Sequence, residues 1–166
     1  MKTKDIRDVI RCKNTTGTGI GQVPKDTWSI PFSVCKEAKL TEIQWKILHR
    51  IYPTNILLKK MNIKQTDLCE LCSQNALDTL EHFFYDCLEV DKLWKYIAKE
   101  LHVKITVDNA LFGMSKLNFD TEEEYRKINK LLLIAKKCIS MYKYGTHNNL
   151  IALFEAEKSW RQMYNL

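Results

Sequence analysis

The sequence lacks any apolar run of the roughly 20 residues that a membrane-spanning helix needs, and no charged-then-apolar segment opens it. The glycine-rich stretch between residues 14 and 24 lacks the lysine and serine or threonine that end a phosphate-binding loop. The six cysteines do not indicate a disulfide framework, because three of them have metal-ligand spacing and Cys12, Cys35 and Cys138 are scattered. Free thiolates for metal binding favour a reducing compartment. These absences argue against membrane proteins, secreted proteins and phosphate-loop enzymes. We expect a soluble, intracellular protein or a fragment of one, with no membrane partner.

The net charge of +6 conceals a segregation of charge along the chain. Residues 1–66 hold 13 Lys/Arg and 5 Asp/Glu (+8), residues 67–124 hold 5 and 13 (−8), and residues 125–166 hold 8 and 2 (+6). Basic surfaces attract nucleic-acid phosphates through counterion release. Any nucleic acid should therefore touch the basic flanks rather than the acidic centre. The alternative is that these lysines only solvate exposed helix faces.

Four residues in the acidic centre, Cys69, Cys72, His82 and Cys87, have the spacing Cys-x2-Cys-x9-His-x4-Cys. Zinc prefers thiolate and imidazole donors and takes four of them in a structural site. The first pair would lie on a tight turn, and the second on a helical segment that folds back over it. Two buried thiols, an unrelated core histidine and a coincidental cysteine are the alternative. We predict a structural Zn²⁺ that clamps the turn to the helix.

Apolar residues recur at helical spacing through most of the chain, which predicts a mostly α protein with little or no sheet. One helix should run from Leu40 to Tyr52 and end at Pro53, since proline restricts the residue before it. The longest helix should lie between a cap at Asp120 or Thr121 and a stop at Gly145. Further helices are expected at 55–61, 90–101 and from about 148.

Shorter patterns carry more local predictions. Asp78-Thr79-Leu80-Glu81 resembles a capping box that starts a helix presenting His82. Residues 102–107 are predicted as a brief extended piece and residues 111–113 as a turn. Alternation with polar residues predicts a short extended segment at Trp28, Ile30 and Phe32.

The predicted organisation has three parts. Residues 1–38 form a partly flexible N-terminal extension, which includes a short helix within residues 1–13. Residues 39–110 form a helix-turn and the Cys-Cys-His-Cys zinc module. Residues 111–166 form a C-terminal helical hairpin that packs on that module.

One stretch resembles a known family. It runs from Trp45-Lys46-Ile47-Leu48-His49 to Pro53-Thr54, then through Leu68-Cys69-Glu70-Leu71-Cys72, and ends in Asp78-Thr79-Leu80-Glu81-His82-Phe83-Phe84-Tyr85-Asp86-Cys87 with Trp94 following. It resembles the zinc-binding domain at the C-terminal end of reverse transcriptase polyproteins of LINE-type (non-LTR) retrotransposons. The resemblance covers about residues 40–95, departs mildly at Asp78 and Phe83, and does not extend to residues 1–34.

The resemblance implies a role in the element's ribonucleoprotein. Such a domain is thought to bind RNA, the element's own transcript above all, or the nucleic acids at the integration site. It would thereby support target-primed reverse transcription, in the cytoplasm and the nucleus, alongside the rest of the polyprotein. The sequence has no Tyr/Phe-x-Asp-Asp motif and no assembled endonuclease set, so we do not expect this segment to be an enzyme.

Basic residues on two predicted helices and the segment between them are the candidate nucleic-acid contacts. Trp45, Tyr52 and His49 are candidates for stacking on unpaired bases, with core packing as the alternative for Trp45 and Tyr52. The basic candidates, with the histidine, are Lys39, Lys46, His49, Arg50, Lys59, Lys60, Lys64, Arg126, Lys130, Lys136 and Lys137.

Two other functions compete with this prediction. A zinc-stapled helical scaffold could dock on the polymerase or a host protein without touching nucleic acid, and an exposed apolar patch would favour it. A metallohydrolase would need an open metal position, which four protein ligands do not leave.

Overall fold

The computed structural model describes residues 25–163, with the side chains from Thr27 onward. The expectations for residues 1–24, a short helix and a flexible stretch, and for residues 164–166 lie outside the described residues. Within 25–163 the α-helices are α1 (Ile30–Val34), α2 (Ala38–Leu48), α3 (Asn55–Lys60), α4 (Leu88–Leu101), α5 (Val107–Phe112), α6 (Glu122–Tyr144) and α7 (Leu150–Met163). Lys25–Trp28 and Lys116–Asn118 are 3₁₀ turns, and His82–Asp86 is a turn of π-helix.

The mostly α fold predicted from the sequence is confirmed. Among the described residues the only β-type pairing is an isolated antiparallel bridge between Leu68 and Leu77. No helix in this part of the chain combines the length and the apolar character needed to cross a bilayer.

The long helix α6 is the centre of the core. The Thr121 side chain accepts a hydrogen bond from Glu124 N, and three glutamates follow in the first turn, where negative charge favours the helix dipole. α6 packs against α1, α2 and α7. Its inward stripe includes Ile128, Leu132, Ala135, Cys138 and Ile139, all at most 4% exposed. The predicted cap and end of this helix are confirmed.

Helix α2 ends at Leu48, four residues earlier than predicted. Arg50 has a left-handed φ of +54°, and Ile51 N donates to Lys46 O at 2.9 Å while Arg50 N donates to Ile47 O at 3.0 Å. This pair of bonds is a Schellman closure, in which glycine is the usual left-handed residue. The chain therefore leaves the helix before Pro53 rather than at it.

Three local predictions were wrong. Residues 25–34 form a 3₁₀ turn and α1 instead of an extended segment, with Pro31 in the first turn, where proline is tolerated. Residues 102–106 are irregular, and Leu111 and Phe112 are the last two residues of α5. Alternation over a few residues does not distinguish a strand from a helical turn.

Candidate metal centre

The first two candidate ligands lie on a tight hairpin. Cys69 N donates to Ala76 O at 2.8 Å, and Asp78 N donates to Asp67 O at 2.9 Å, on either side of the Leu68–Leu77 bridge. Asn75 takes a left-handed φ of +49° in the loop. These bonds fix the loop that carries both Cys69 and Cys72.

The second pair of ligands is brought together by the π turn. Cys87 N donates to His82 O at 3.1 Å, a bond that spans five residues. In an α-helix, residues five apart would point about 140° away from each other. Because the wider π turn closes over five residues, His82 and Cys87 lie on the same side one turn apart. The sequence predicted an ordinary helix here.

Trp94 accommodates the irregular backbone of this turn. Its Nε1 atom donates to Phe84 O at 2.6 Å, and the indole is only 3% exposed. A π turn frees carbonyl groups from α-helical bonding, and a buried carbonyl needs a donor. The tryptophan that trails the last cysteine is therefore a support for the turn that aligns His82 with Cys87.

The four candidate ligand atoms converge. The donor atoms of Cys69, Cys72, His82 and Cys87 all lie within 4.8 Å of one another, and His82 Nε2 is 3.4 Å from Cys72 Sγ. Ligand atoms in a tetrahedral zinc site are about 3.5–3.8 Å apart, given Zn–S near 2.3 Å and Zn–N near 2.0 Å. The donor set and its spacing therefore fit a zinc ion, which these four side chains would hold without an open position.

The surroundings set the ionisation of the ligands. Burial opposes ionisation of the Cys69 thiol, but backbone N–H donors of Cys72 and Leu71 and the Lys143 ammonium outweigh it, so the pKa of Cys69 is lowered. Burial raises the pKa of Cys87 to about 12. Burial, with the Lys143 charge, lowers the pKa of His82, which keeps the imidazole neutral and able to bind a metal. Metal binding must therefore displace a proton from Cys87, and affinity should fall as pH falls.

Lys143 is a part of this site that sequence reasoning missed. It lies on α6, 74 residues from Cys69, yet its Nζ atom is 3.8 Å from Cys69 Sγ and 4.4 Å from the centroid of the Phe83 ring. Its side chain is 4% exposed and pairs with the equally buried Asp78 carboxylate at 3.4 Å. Three thiolates with Zn²⁺ carry about −1, so this ammonium compensates the charge of the loaded centre. The sequence pattern of a long helix does not show which of its lysines lies beside the metal ligands.

Asp78 does not act as the predicted helix cap. Its Oδ2 atom accepts from Asn55 N at the start of α3, at 2.9 Å, and its Oδ1 atom accepts from Lys143. The cap is Thr79, whose Oγ1 accepts from His82 N at 3.0 Å. The capping-box prediction was wrong because Thr79, which is also a common N-cap residue, takes the cap position, and only the tertiary fold brings α3 and α6 to Asp78.

Replacing Lys143 with Met should lower zinc affinity about 10- to 100-fold, the usual effect of losing a group that supports a metal ligand. It should also cost about 3–5 kcal/mol of stability, because Asp78 is left buried without its cation. Competition with a chromogenic chelator and urea unfolding measure the two effects.

The double variant Lys143→Met with Asp78→Asn separates them. In this variant the buried carboxylate at residue 78 is replaced by a neutral amide, so no unpaired charge remains. The ammonium beside Cys69 is still missing. Zinc affinity that returns to the wild-type value in the double variant would contradict a direct role for Lys143 at the thiolate.

Several basic candidates pair with acids of the finger, defined as residues 67–87. Each pair joins a basic flank to the acidic centre, so the charge segregation of the sequence is partly cancelled within the fold. Exposed pairs of this kind contribute little to stability, and their cations are less available to phosphates. The pairs are Arg50–Glu81 at 2.9 Å, Lys59–Asp67 at 3.0 Å and Lys64–Glu70 at 2.5 Å.

Lys136 cannot serve as a nucleic-acid contact, contrary to the sequence prediction. It is 1% exposed, and its Nζ atom donates to Gln44 Oε1 at 2.5 Å and to Leu111 O at 3.1 Å. Burial lowers the pKa of Lys136 to about 7. It lies on the side of α6 that faces α2 and α5. The next residue, Lys137, lies at the surface of the same helix.

The other basic candidates lie at or near the surface. Lys39 and Lys46 share Glu42, at 3.5 and 2.5 Å. Arg126 pairs with Glu122 at 3.0 Å and Lys137 with Glu157 at 2.8 Å, while Lys60 is exposed and Lys130 half-buried.

The aromatic candidates divide between core and surface. Tyr52 is 5% exposed, contacts Phe83 and Phe84, and donates to Ser140 Oγ, so it is a core residue. Trp45 is 43% exposed and contacts the exposed His49 ring, with centroids 4.5 Å apart.

The convergent Cys₃His cluster in this mainly helical fold fits a structural zinc centre of the zinc-finger type. Comparison with known families agrees: residues 20–94 match the family model described as zinc-binding in reverse transcriptase. The match starts well before the region in which the sequence resemblance was found, and it includes all four candidate ligands. Neither a curated protein nor a solved structure matches the chain.

Proposed function

We propose that this chain is a zinc-stabilised nucleic-acid-binding module of a LINE-type retrotransposon reverse transcriptase polyprotein, positioned C-terminal to the polymerase. The observation that carries the proposal is the match of residues 20–94, cluster included, to the zinc-binding domain in reverse transcriptase. The preferred ligand is RNA, the element's own transcript above all, with target DNA as a second ligand. The module acts within a cytoplasmic and nuclear ribonucleoprotein and supports target-primed reverse transcription without catalysis of its own.

The metal supplies rigidity in this proposal. When bound, Zn²⁺ would join the hairpin of residues 67–78 to the π turn, with Phe83 and Phe84 packed beneath at 1% and 0% exposure. The loaded centre is negatively charged and edged by carboxylates, so phosphates would avoid it. Nucleic acid would instead contact cations away from the finger, on α2 and α6.

Binding should be dominated by the phosphate backbone and sensitive to salt. If about three to five phosphates are contacted on a single strand, affinity should fall about 20- to 100-fold between 50 and 200 mM salt. Filter binding with stem-loop RNA, single-stranded RNA and duplex DNA at increasing salt measures this. An affinity that does not change with salt, or no binding to any of the three, would contradict the proposal.

A further inference from the structure

Two adjoining surface grooves run across α1. The first has a volume of about 590 Å³ and lies between α1 and α2, with Phe32, Lys36, Thr41 and Trp45 in its walls. The second, about 370 Å³, lies between α1 and α6 and is lined by Lys36, Arg126 and Lys130 together with Phe32. Since Phe32, Cys35 and Lys36 line both, the grooves form one continuous surface, which we call the α1 track. It extends from α2 to α6.

One end of the α1 track is aromatic and exposed. Phe32 is 66% exposed and Trp45 43% exposed, although side chains of this kind are usually buried. Beside them, Trp28 is 46% exposed and its ring centroid lies 5.4 Å from that of His49, which in turn contacts Trp45. Exposed rings held by their neighbours can stack on unpaired bases at small cost in conformational entropy.

Phe32 and Lys36 lie where the two grooves meet, and the end of the α1 track at α6 is basic. Arg126 and Lys130 line this end, and a third groove of about 530 Å³ shares Lys130 and adds Lys127.

The acids along the α1 track are matched within the protein. Glu37 accepts from the Arg161 guanidinium at 2.6 and 2.8 Å, and Glu42 pairs with Lys46 and Lys39. Arg126 pairs with the exposed Glu122 at 3.0 Å, and the three cations that line the α1 track outnumber its two acids, which complements a phosphate backbone.

We propose that the α1 track binds single-stranded nucleic acid, with unpaired bases stacked on Phe32 and Trp45 and phosphates on Lys36, Arg126 and Lys130. This inference rests on the proposed function and adds to it the site and the class of ligand. A duplex keeps its bases paired and stacked, so it would use only the basic end and bind more weakly. An apolar protein partner would use the aromatic end but not the basic one.

The test compares variants of the full chain for binding to a short oligouridine and to an RNA duplex of the same length. Phe32→Ala and Trp45→Ala should each weaken binding to the oligouridine about 5- to 100-fold, the effect of losing one stacked base. Duplex binding should change less than threefold. Trp160→Ala is the matched control, because Trp160 is 47% exposed on α7 and lines neither groove.

Tryptophan emission gives an independent readout. The oligouridine should quench the emission of the wild type, and the quenching should be reduced in Trp45→Phe while affinity is retained, because phenylalanine still stacks. Trp94 is buried and contributes a background that stacking does not affect. Zinc content and circular dichroism show that each variant is folded.

The outcomes separate the two proposals. If the wild type binds the oligouridine in a salt-sensitive way and both alanine variants bind it equally well, the α1 track is not the site, and the proposed function stands. If the wild type binds neither strand nor duplex, the proposed function fails as well. If the alanine variants keep their RNA affinity but no longer bind the purified polymerase segment, the aromatic surface binds protein, which overturns the inference.

Discussion

Chelation of the metal should unfold residues 67–87 and lower the melting temperature of the whole chain by about 10–30 °C. Structural zinc binding contributes about 10–16 kcal/mol in zinc-finger peptides, and that free energy becomes folding free energy. If half of it is lost here, the shift follows from about 2–4 °C per kcal/mol for a domain of this size. Helicity should fall too, because the π turn and the start of α4 depend on His82 and Cys87. Circular dichroism with and without chelator measures both changes.

Point variants of the ligands should reproduce the effect of the chelator. Cys72→Ser and His82→Ala should each lose the metal and unfold the finger. Cys35→Ser and His147→Ala are matched controls, because Cys35 is a buried thiol outside the cluster and His147 is exposed. Unchanged helicity and melting on metal removal would contradict the role of the metal as a clamp.

Replacing Lys136 with Met should change how stability depends on pH. Burial lowers the pKa of this lysine from 10.5 to about 7 in the folded protein. The unfolded chain therefore binds more protons between about pH 7 and 10.5, and stability should rise with pH across that window. Below pH 7 both states are protonated, and the full cost of the buried charge is present.

The methionine variant should therefore be more stable than the wild type at pH 6, by a few kcal/mol. The lost charge penalty is several kcal/mol, and the donor that Gln44 Oε1 loses costs about 1–3 kcal/mol. The difference in the free energy of unfolding between the methionine variant and the wild type should become smaller towards pH 10. At higher pH it should vanish or change sign. Urea unfolding of zinc-loaded protein at pH 6, 8 and 10 measures it, and titration of the metal ligands cancels in the difference between the proteins.

Lys137→Met is the control for this experiment. Lys137 is the next residue, but it reaches the surface and pairs with Glu157. Its variant should retain the pH dependence of the wild type. If Lys136→Met shows the same dependence as the wild type, Lys136 does not titrate as its burial implies.

Patterns that arise from one element could be predicted from the sequence. The stripe of α6 follows from helical spacing, and its ends follow from Thr121 and Gly145, because caps act over one turn. The metal ligands could be proposed for a similar reason: four donors on two short segments need only one chain reversal to meet. The division into 1–38, 39–110 and 111–166 remains a prediction.

Features that depend on contacts between distant elements could not be predicted. Lys136 on α6 contacts Gln44, which is 92 residues away in the sequence. A helical wheel of α6 alone cannot show that another helix covers this lysine. Asp78 fits a capping box in the sequence, but in the fold it binds Asn55 and Lys143. The pairing of Arg50, Lys59 and Lys64 with finger acids likewise required the structure.

X-ray absorption at the zinc edge tests the central claim most directly, when combined with the metal content of the purified chain. We expect one zinc per chain, with three sulfur ligands at about 2.3 Å and one nitrogen at about 2.0 Å. The same spectrum from Cys87→Ser should show a sulfur ligand lost. A chain that is folded without a transition metal, or a zinc spectrum dominated by oxygen ligands, would contradict the account.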